Sequence, residues 1–203
     1  MNDALWREPS HRGIKMKVQS ISRNPRRPQA THPTFQLMVG FCLRGDRTYE
    51  RKFLEFARPV SEVVELQISL NDVVGATSER TVDDHDSETI NTCTIDDILG
   101  EKLRSLLQQP IRNRNRRQDV FDLANQWRNR REQLDLEQMK IHMVRKCEAR
   151  EIRARRSAFD NIIRDMACEG YDRLREDTRD AFIEFDEAWA LVMELVTALD
   201  LPE

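Results

Sequence analysis

Between Ile95 and Ala124 the chain reads IDDILGEKLRSLLQQPIRNRNRRQDVFDLA, which places one lysine, several acids and a run of arginines close together. Arg112, Arg114, Arg116 and Arg117 form a strongly cationic loop. Guanidinium groups of this kind clamp phosphates bidentately, whether from a nucleotide or from an RNA backbone. A solvated loop that pairs with an acidic region elsewhere is the alternative. Asp119 and Asp122 are three residues apart, so both lie toward one side of a helix start. An acid in a first helical turn also favours the helix dipole without any further role. Lys102 flanks a stripe of Leu99, Leu103 and Leu106, where a lysine stem can cover apolar surface while its head reaches water.

These residues need elements to hold them. Thr94-Ile95-Asp96-Asp97 reads as a helix start, with Thr94 as N-cap and two acids in the first turn. Leu99, Leu103 and Leu106 then share one face until Pro110, which is expected to stop the helix. A second helix is expected to begin near Gln118, with Val120, Leu123, Ala124 and Trp127 on its apolar side. A long charged helix, continuous or broken, is expected over 134–156, and further helices over 159–174 and 179–199. In the last of these, Phe182, Phe185, Trp189, Val192 and Val196 form a wide apolar stripe.

The region ahead of these helices reads as β-rich. Ile14–Ser22 alternates apolar and polar residues as a half-buried strand does. Thr34–Leu43 is an apolar run short enough for a buried strand. Arg44-Gly45-Asp46-Arg47 and the alternation over Thr48–Phe56 suggest a hairpin, and Val63–Leu70 is a further strand candidate. Thr77–Asn91, polar, acidic and without period, reads as a long surface loop. The expected architecture is α+β, a small and mostly antiparallel sheet followed by a helical bundle, with a division into residues 1–93 and 94–203.

The whole chain narrows the class of function. It has 203 residues, with 34% charged and a net charge of −3. That small net charge hides segregation: Glu101–Arg156 holds 16 Lys/Arg against 8 Asp/Glu, and Ser157–Glu203 holds 4 against 13. Either one region meets an anionic partner or the two regions face each other. Cys42, Cys93, Cys147 and Cys168 include no C-x-x-C pair, and the four histidines are dispersed, so no metal-ligand spacing is present. The pattern suits free thiols in a reducing cytosol. No secretory signal and no run of about 18 apolar residues appears, so a cytoplasmic protein with no membrane partner is expected.

The segment Asp97-Ile98-Leu99-Gly100-Glu101-Lys102-Leu103-Arg104-Ser105-Leu106-Leu107, followed after the basic loop by Gln118-Asp119-Val120-Phe121-Asp122-Leu123, resembles two linked motifs of the abortive-infection nucleotidyltransferase toxins of the AbiEii/AbiGii type. Those toxins carry patterns like E-I-L-A-E-K-L-R-A-L-L and R-D-L-Y-D-L in this order and spacing. The strand Glu65-Leu66-Gln67-Ile68-Ser69 sits where they carry one like I-K-L-D-I-S. The resemblance implies that Lys102 contacts the triphosphate of a nucleotide, a task suited to a compact ammonium on a flexible stem. It implies that Asp119 positions the nucleotide or the acceptor group, so that Lys102 and Asp119 are the catalytic candidates. Lys102, Arg104, Arg114, Arg116, Arg117 and Asp122 are the candidates for nucleotide or phosphate binding. Where the family has an arginine before the first aspartate, this chain has Gln118, with Arg116 and Arg117 just upstream.

The resemblance further implies a nucleoside triphosphate and Mg²⁺ as cofactors of an active enzyme, an RNA acceptor such as a tRNA, and a cognate antitoxin that is a small DNA-binding protein encoded nearby. The implied role is a toxin of a type IV toxin–antitoxin, phage-defence system. Nucleotidyl transfer relies on divalent cations held by carboxylates. In this superfamily a Gly-Gly-Ser turn and an Asp-x-Asp strand near the N-terminus supply the phosphate cradle and the metal ligands. Neither motif occurs in the β-rich region here, Asp84-His85-Asp86 falls in the wrong order, and the family's strand acid aligns with Gln67. No metal ligand is therefore assigned, and the chain is expected to be an N-terminally shortened homologue whose residues 1–93 are the remnant of a nucleotidyltransferase-like domain. The alternative is a non-catalytic module that binds RNA or protein through the basic region 102–156.

Overall fold

In the computed structural model, residues 14–24, 33–43, 63–69, 75–81 and 89–203 are described. The chain divides into two compact units, Met1–Asp72 and Val73–Glu203.

The first unit holds a three-stranded antiparallel sheet in the order β1-β2-β3, from β1 (Ile14–Asn24), β2 (Thr34–Leu43) and β3 (Val63–Ser69). The alternation expected of strands appears in β2, where Leu37 and Val39 are buried two residues apart. An irregularity in register between Val18 and Ser20 interrupts the β1–β2 ladder. The hairpin expected around Arg44–Arg47 and the strand expected over 48–56 lie outside the described residues.

The second unit opens with a hairpin, β4 (Thr77–Thr81) paired antiparallel with β5 (Thr89–Cys93). This corrects the expectation of a loop over 77–91. The hairpin is polar on both faces and mostly exposed, so it lacks the apolar alternation that announces a strand. Cross-strand polar contacts hold it: the Thr89 hydroxyl donates to Glu79 at 2.9 Å and the Thr92 hydroxyl to the Ser78 carbonyl at 3.2 Å.

Helix α1 (Ile95–Leu107) starts as its residues require, with the Thr94 hydroxyl accepting the Asp97 N–H at 3.3 Å and Asp96 and Asp97 in the first turn. Leu99, Leu103 and Leu106 are 1% exposed or less. Burial of each contributes about 1.5–3 kcal/mol relative to leaving it in water. Pro110 does not itself end α1, which stops at Leu107. It lies in the first turn of a short helix α2 (Gln109–Arg112), where its missing N–H costs nothing. Asn113 follows in the left-handed region at φ 47°. Helix α3 (Arg117–Arg130) buries Val120, Leu123, Ala124 and Trp127 as its spacing predicts.

Helix α4 (Leu136–Glu148) is shorter than the helix expected over 134–156. The Cys147 carbonyl accepts the N–H groups of both Arg150 and Ile152, with Glu151 turned to φ 56°, and this closes the helix without a glycine to mark the place. The two expected final helices are likewise shorter: α5 (Asn161–Cys168) is followed by a short helix between them, α6 (Leu174–Thr178), and then by α7 (Phe185–Ala198). Gly170, at φ 69°, makes the turn after α5. Helix α1 packs on α3 and α4, and α3 packs on α7.

Candidate functional site

The packing of α1 against α3 brings together residues that lie 17 and 20 positions apart. The Lys102 ammonium donates to Asp119 Oδ1 at 2.9 Å and to Asp122 Oδ2 at 2.7 Å. An ammonium has three N–H donors. Two are used here, and among the described residues the third has no partner. Burial opposes the charge on Lys102, but hydrogen bonds to Asp122 and Asp119 and the charges of the same two carboxylates outweigh it. Its pKa is therefore raised above the ordinary value. Arg116 Nη1 stands 3.6 Å from Asp119 Oδ2, which is buried without a hydrogen bond, and Gln118 donates to Asp122 Oδ1 at 3.0 Å. Lys102 and Arg116 thus balance the two carboxylates in formal charge.

Uncompensated positive charge comes from the neighbouring loop. Burial lowers the pKa of Arg112, and the charges of Arg150, Arg104, Arg116 and Arg114 lower it further. Burial also lowers Arg116, against the pull of Asp119 and together with Arg114. These arginines feel one another because the loop is shaped from beneath. Gln109, 1% exposed, accepts the Arg116 N–H at 2.8 Å through its amide oxygen and donates to the Ile163 carbonyl at 3.1 Å through its amide nitrogen. The Gln109 carbonyl accepts the Arg114 N–H, and Asn115 donates to the Glu169 carbonyl while accepting the Arg117 N–H. Between Arg112, the last residue of α2, and Arg117, the first of α3, the side chains of Gln109 and Asn115 and the Gln109 carbonyl shape the loop.

Of the residues singled out in the sequence, Lys102, Asp119, Asp122 and Arg116 form one cluster. Arg114 is exposed on the loop. Arg117 turns toward Gly170, where an added Cβ would stand 3.1 Å from its Nη1. Arg104 is not at the cluster surface. It is 2% exposed, with donors given to Glu101, Gln108 and Ser105. Its charge is spent inside the helix layer.

Sequence reasoning missed Gln109 and a second polar group beneath α1. There Lys146 of α4 donates to Asp97 at 2.9 Å and approaches Glu101 at 4.0 Å, and Asp97 also accepts the Gly75 N–H at 2.8 Å. The i, i+4 spacing of Asp97 with Glu101 and of His142 with Lys146 is the signal that could have found it. For a divalent metal the donor set does not fit. Among the described residues no group of three His, Cys, Asp or Glu converges, and the carboxylates of Asp119 and Asp122 share one ammonium. No helix among the described residues is long and apolar enough to cross a membrane.

Comparison with known families gives one result. The model of the nucleotidyl transferase AbiEii toxin, type IV toxin–antitoxin system, matches residues 7–191. No curated protein and no solved structure matches the chain.

Proposed function

Because the chain belongs to the AbiEii nucleotidyl transferase toxin family, we propose that the Lys102 cluster and the adjoining arginine loop receive the triphosphate of a nucleotide destined for an RNA acceptor. The observation that carries this reading is the unspent third N–H of Lys102, held in place by Asp119 and Asp122 beside a cationic loop. Lys102 donates that N–H to a phosphate oxygen. Arg114 and Arg116 supply the guanidinium grip on neighbouring oxygens, with Arg117 behind them. Asp119 and Asp122 act by fixing the direction of the ammonium, and through it Asp119 positions the nucleotide. Arg104 stiffens α1 under the cluster and does not touch phosphate. The family's type IV membership implies an antitoxin partner.

Titration of the purified chain with nucleoside triphosphates by calorimetry tests this. Lys102→Ala should weaken binding by at least about tenfold, the loss of a charge-assisted hydrogen bond worth roughly 1.5–3 kcal/mol. Equal affinity in the two proteins sinks the assignment of Lys102. Incorporation of labelled nucleotide into RNA is expected to be absent from the chain alone, given the poor fit of its carboxylates to a metal. Robust incorporation abolished by Lys102→Ala would overturn that expectation.

A second reading is favoured by the electrostatic proximity of Arg112 and Arg150, which joins the loop to the basic segment after α4. In this reading residues 102–156 are a non-catalytic surface for RNA. Binding to an RNA oligonucleotide should then fall steeply with salt while nucleoside triphosphates fail to compete.

A further inference from the structure

At the other end of the α1–α3 pair lies a second cationic feature. From Lys102 back to Ile95 and from Asp122 on to Arg130 the helices rise roughly 10–12 Å, so this end is remote from the Lys102 ammonium. A cavity of about 330 Å³ opens there between the β4–β5 hairpin, the start of α1 and the end of α3. Arg80 reaches it from β4 and Arg130 from the last residue of α3.

Among the described residues neither guanidinium has a hydrogen bond or an ion pair. None of the described residues that line the cavity carries a carboxylate, and the nearby Asp96 carboxylate accepts the Asp135 N–H at 3.1 Å. This contrasts with Arg104, Arg128, Arg164 and Arg175, whose guanidinium groups all meet acids. Both arginines are exposed, and an anion held in the cavity they line would interact favourably with each charge. The hydroxyl of Ser78 and the amide of Gln133 add neutral polar groups to the wall. The Thr94 oxygen accepts the Asp97 N–H, which leaves its hydroxyl proton free to donate. Ile95 and Leu134 supply an apolar side.

We propose that this cavity binds a small phosphate monoester, with Arg80 and Arg130 gripping the phosphate. A phosphate dianion balances the two guanidinium charges. The volume stands at the low end of ligand pockets, about 300–1,000 Å³, which suits a phosphate with the sugar it esterifies. Ile95 and Leu134 face the sugar. The site is independent of the reading given to Lys102.

The probes are ribose 5-phosphate and inorganic phosphate, titrated into the full chain by calorimetry. Ribose 5-phosphate should bind more tightly than inorganic phosphate, and equal affinity overturns the ester assignment. Arg80→Gln and Arg130→Gln should each weaken ribose 5-phosphate by at least tenfold, while Lys102→Ala leaves its affinity within twofold. Binding unchanged in the two arginine variants, or lost equally in Lys102→Ala, overturns the site. Should Arg130→Gln unfold the helical unit, Arg80→Gln on the exposed hairpin decides alone.

Discussion

Lys146 of α4 places its ammonium 2.9 Å from the carboxylate of Asp97 in the first turn of α1, and both side chains are less than a tenth exposed. This pair ties α4 to the helix that carries Lys102. Removing one partner leaves a buried charge without its counterpart, which typically costs 3–5 kcal/mol. Lys146→Met should therefore lower the free energy of unfolding by about that much. Lys146→Met combined with Asp97→Asn should cost clearly less than the sum of the single changes, as urea titrations will reveal. Additive losses would mean that the pair does not interact.

Gly75 belongs to the same arrangement. A Cβ at this position would lie 2.2 Å from His142 Nδ1 and 2.3 Å from the Asp97 carboxylate that accepts the Gly75 N–H. Gly75→Ala should destabilise the helical unit by about 1–3 kcal/mol through overpacking. Thermal unfolding followed by circular dichroism measures it, and a melting temperature equal to that of the parent chain would contradict the close approach.

The loop makes a separate prediction about Gln109. Gln109→Ala deletes the bond to the Arg116 N–H and the one to the Ile163 carbonyl while leaving every arginine in the sequence. Amide exchange at Arg116 should rise, and RNA affinity should fall with little change in its salt slope. Arg114→Ala should instead reduce that slope by about one. The two variants separate the geometry of the loop from its charge.

Alkaline pH gives a fourth test. Burial pushes the Cys147 thiol up to about 11 from its ordinary value of 9.0. Between these values the unfolded chain releases a proton that the native chain retains, so the native state binds more protons and stability falls as pH rises. The loss across pH 9–11 should be about 2–3 kcal/mol. The raised pKa of Lys102 acts in the same direction above 10.5, since its stabilisation is complete below that pH and is lost as the ammonium deprotonates in the folded chain. Cys147→Ala should flatten the pH 9–11 part of the curve while costing some packing. An unchanged slope would show that another group titrates there.

Much of the helical unit was legible because its residues obey local rules. Thr94 caps where a threonine before two acids should, and the leucines of α1 repeat at helical spacing into the core. The end of α4 was not legible, since a non-glycine residue, Glu151, takes the left-handed turn. The hairpin at Thr77–Cys93 was missed because its strands, paired through the backbone, carry mostly polar residues and bury little. For the candidate site, Lys102, Asp119 and Asp122 are named through the resemblance of their two motifs to the family's, since type and spacing alone leave a plain surface lysine and helix-start acids as the simpler reading. Their meeting around one ammonium depends on how α1 and α3 pack, which no local pattern encodes. Arg104 misled for the converse reason, because its charge points to a ligand while its neighbours Glu101, Ser105 and Gln108 absorb it.

One amide side chain, that of Gln109, touches both the arginine loop and the first turns of α5. The aim of the loop is consequently set by chain more than fifty residues downstream. A version of this protein cut before Asn161 would keep Arg112, Arg114, Arg116 and Arg117 and all their charge. It would lose the brace that orders them, and a patterned cationic surface would decay into an indiscriminate one.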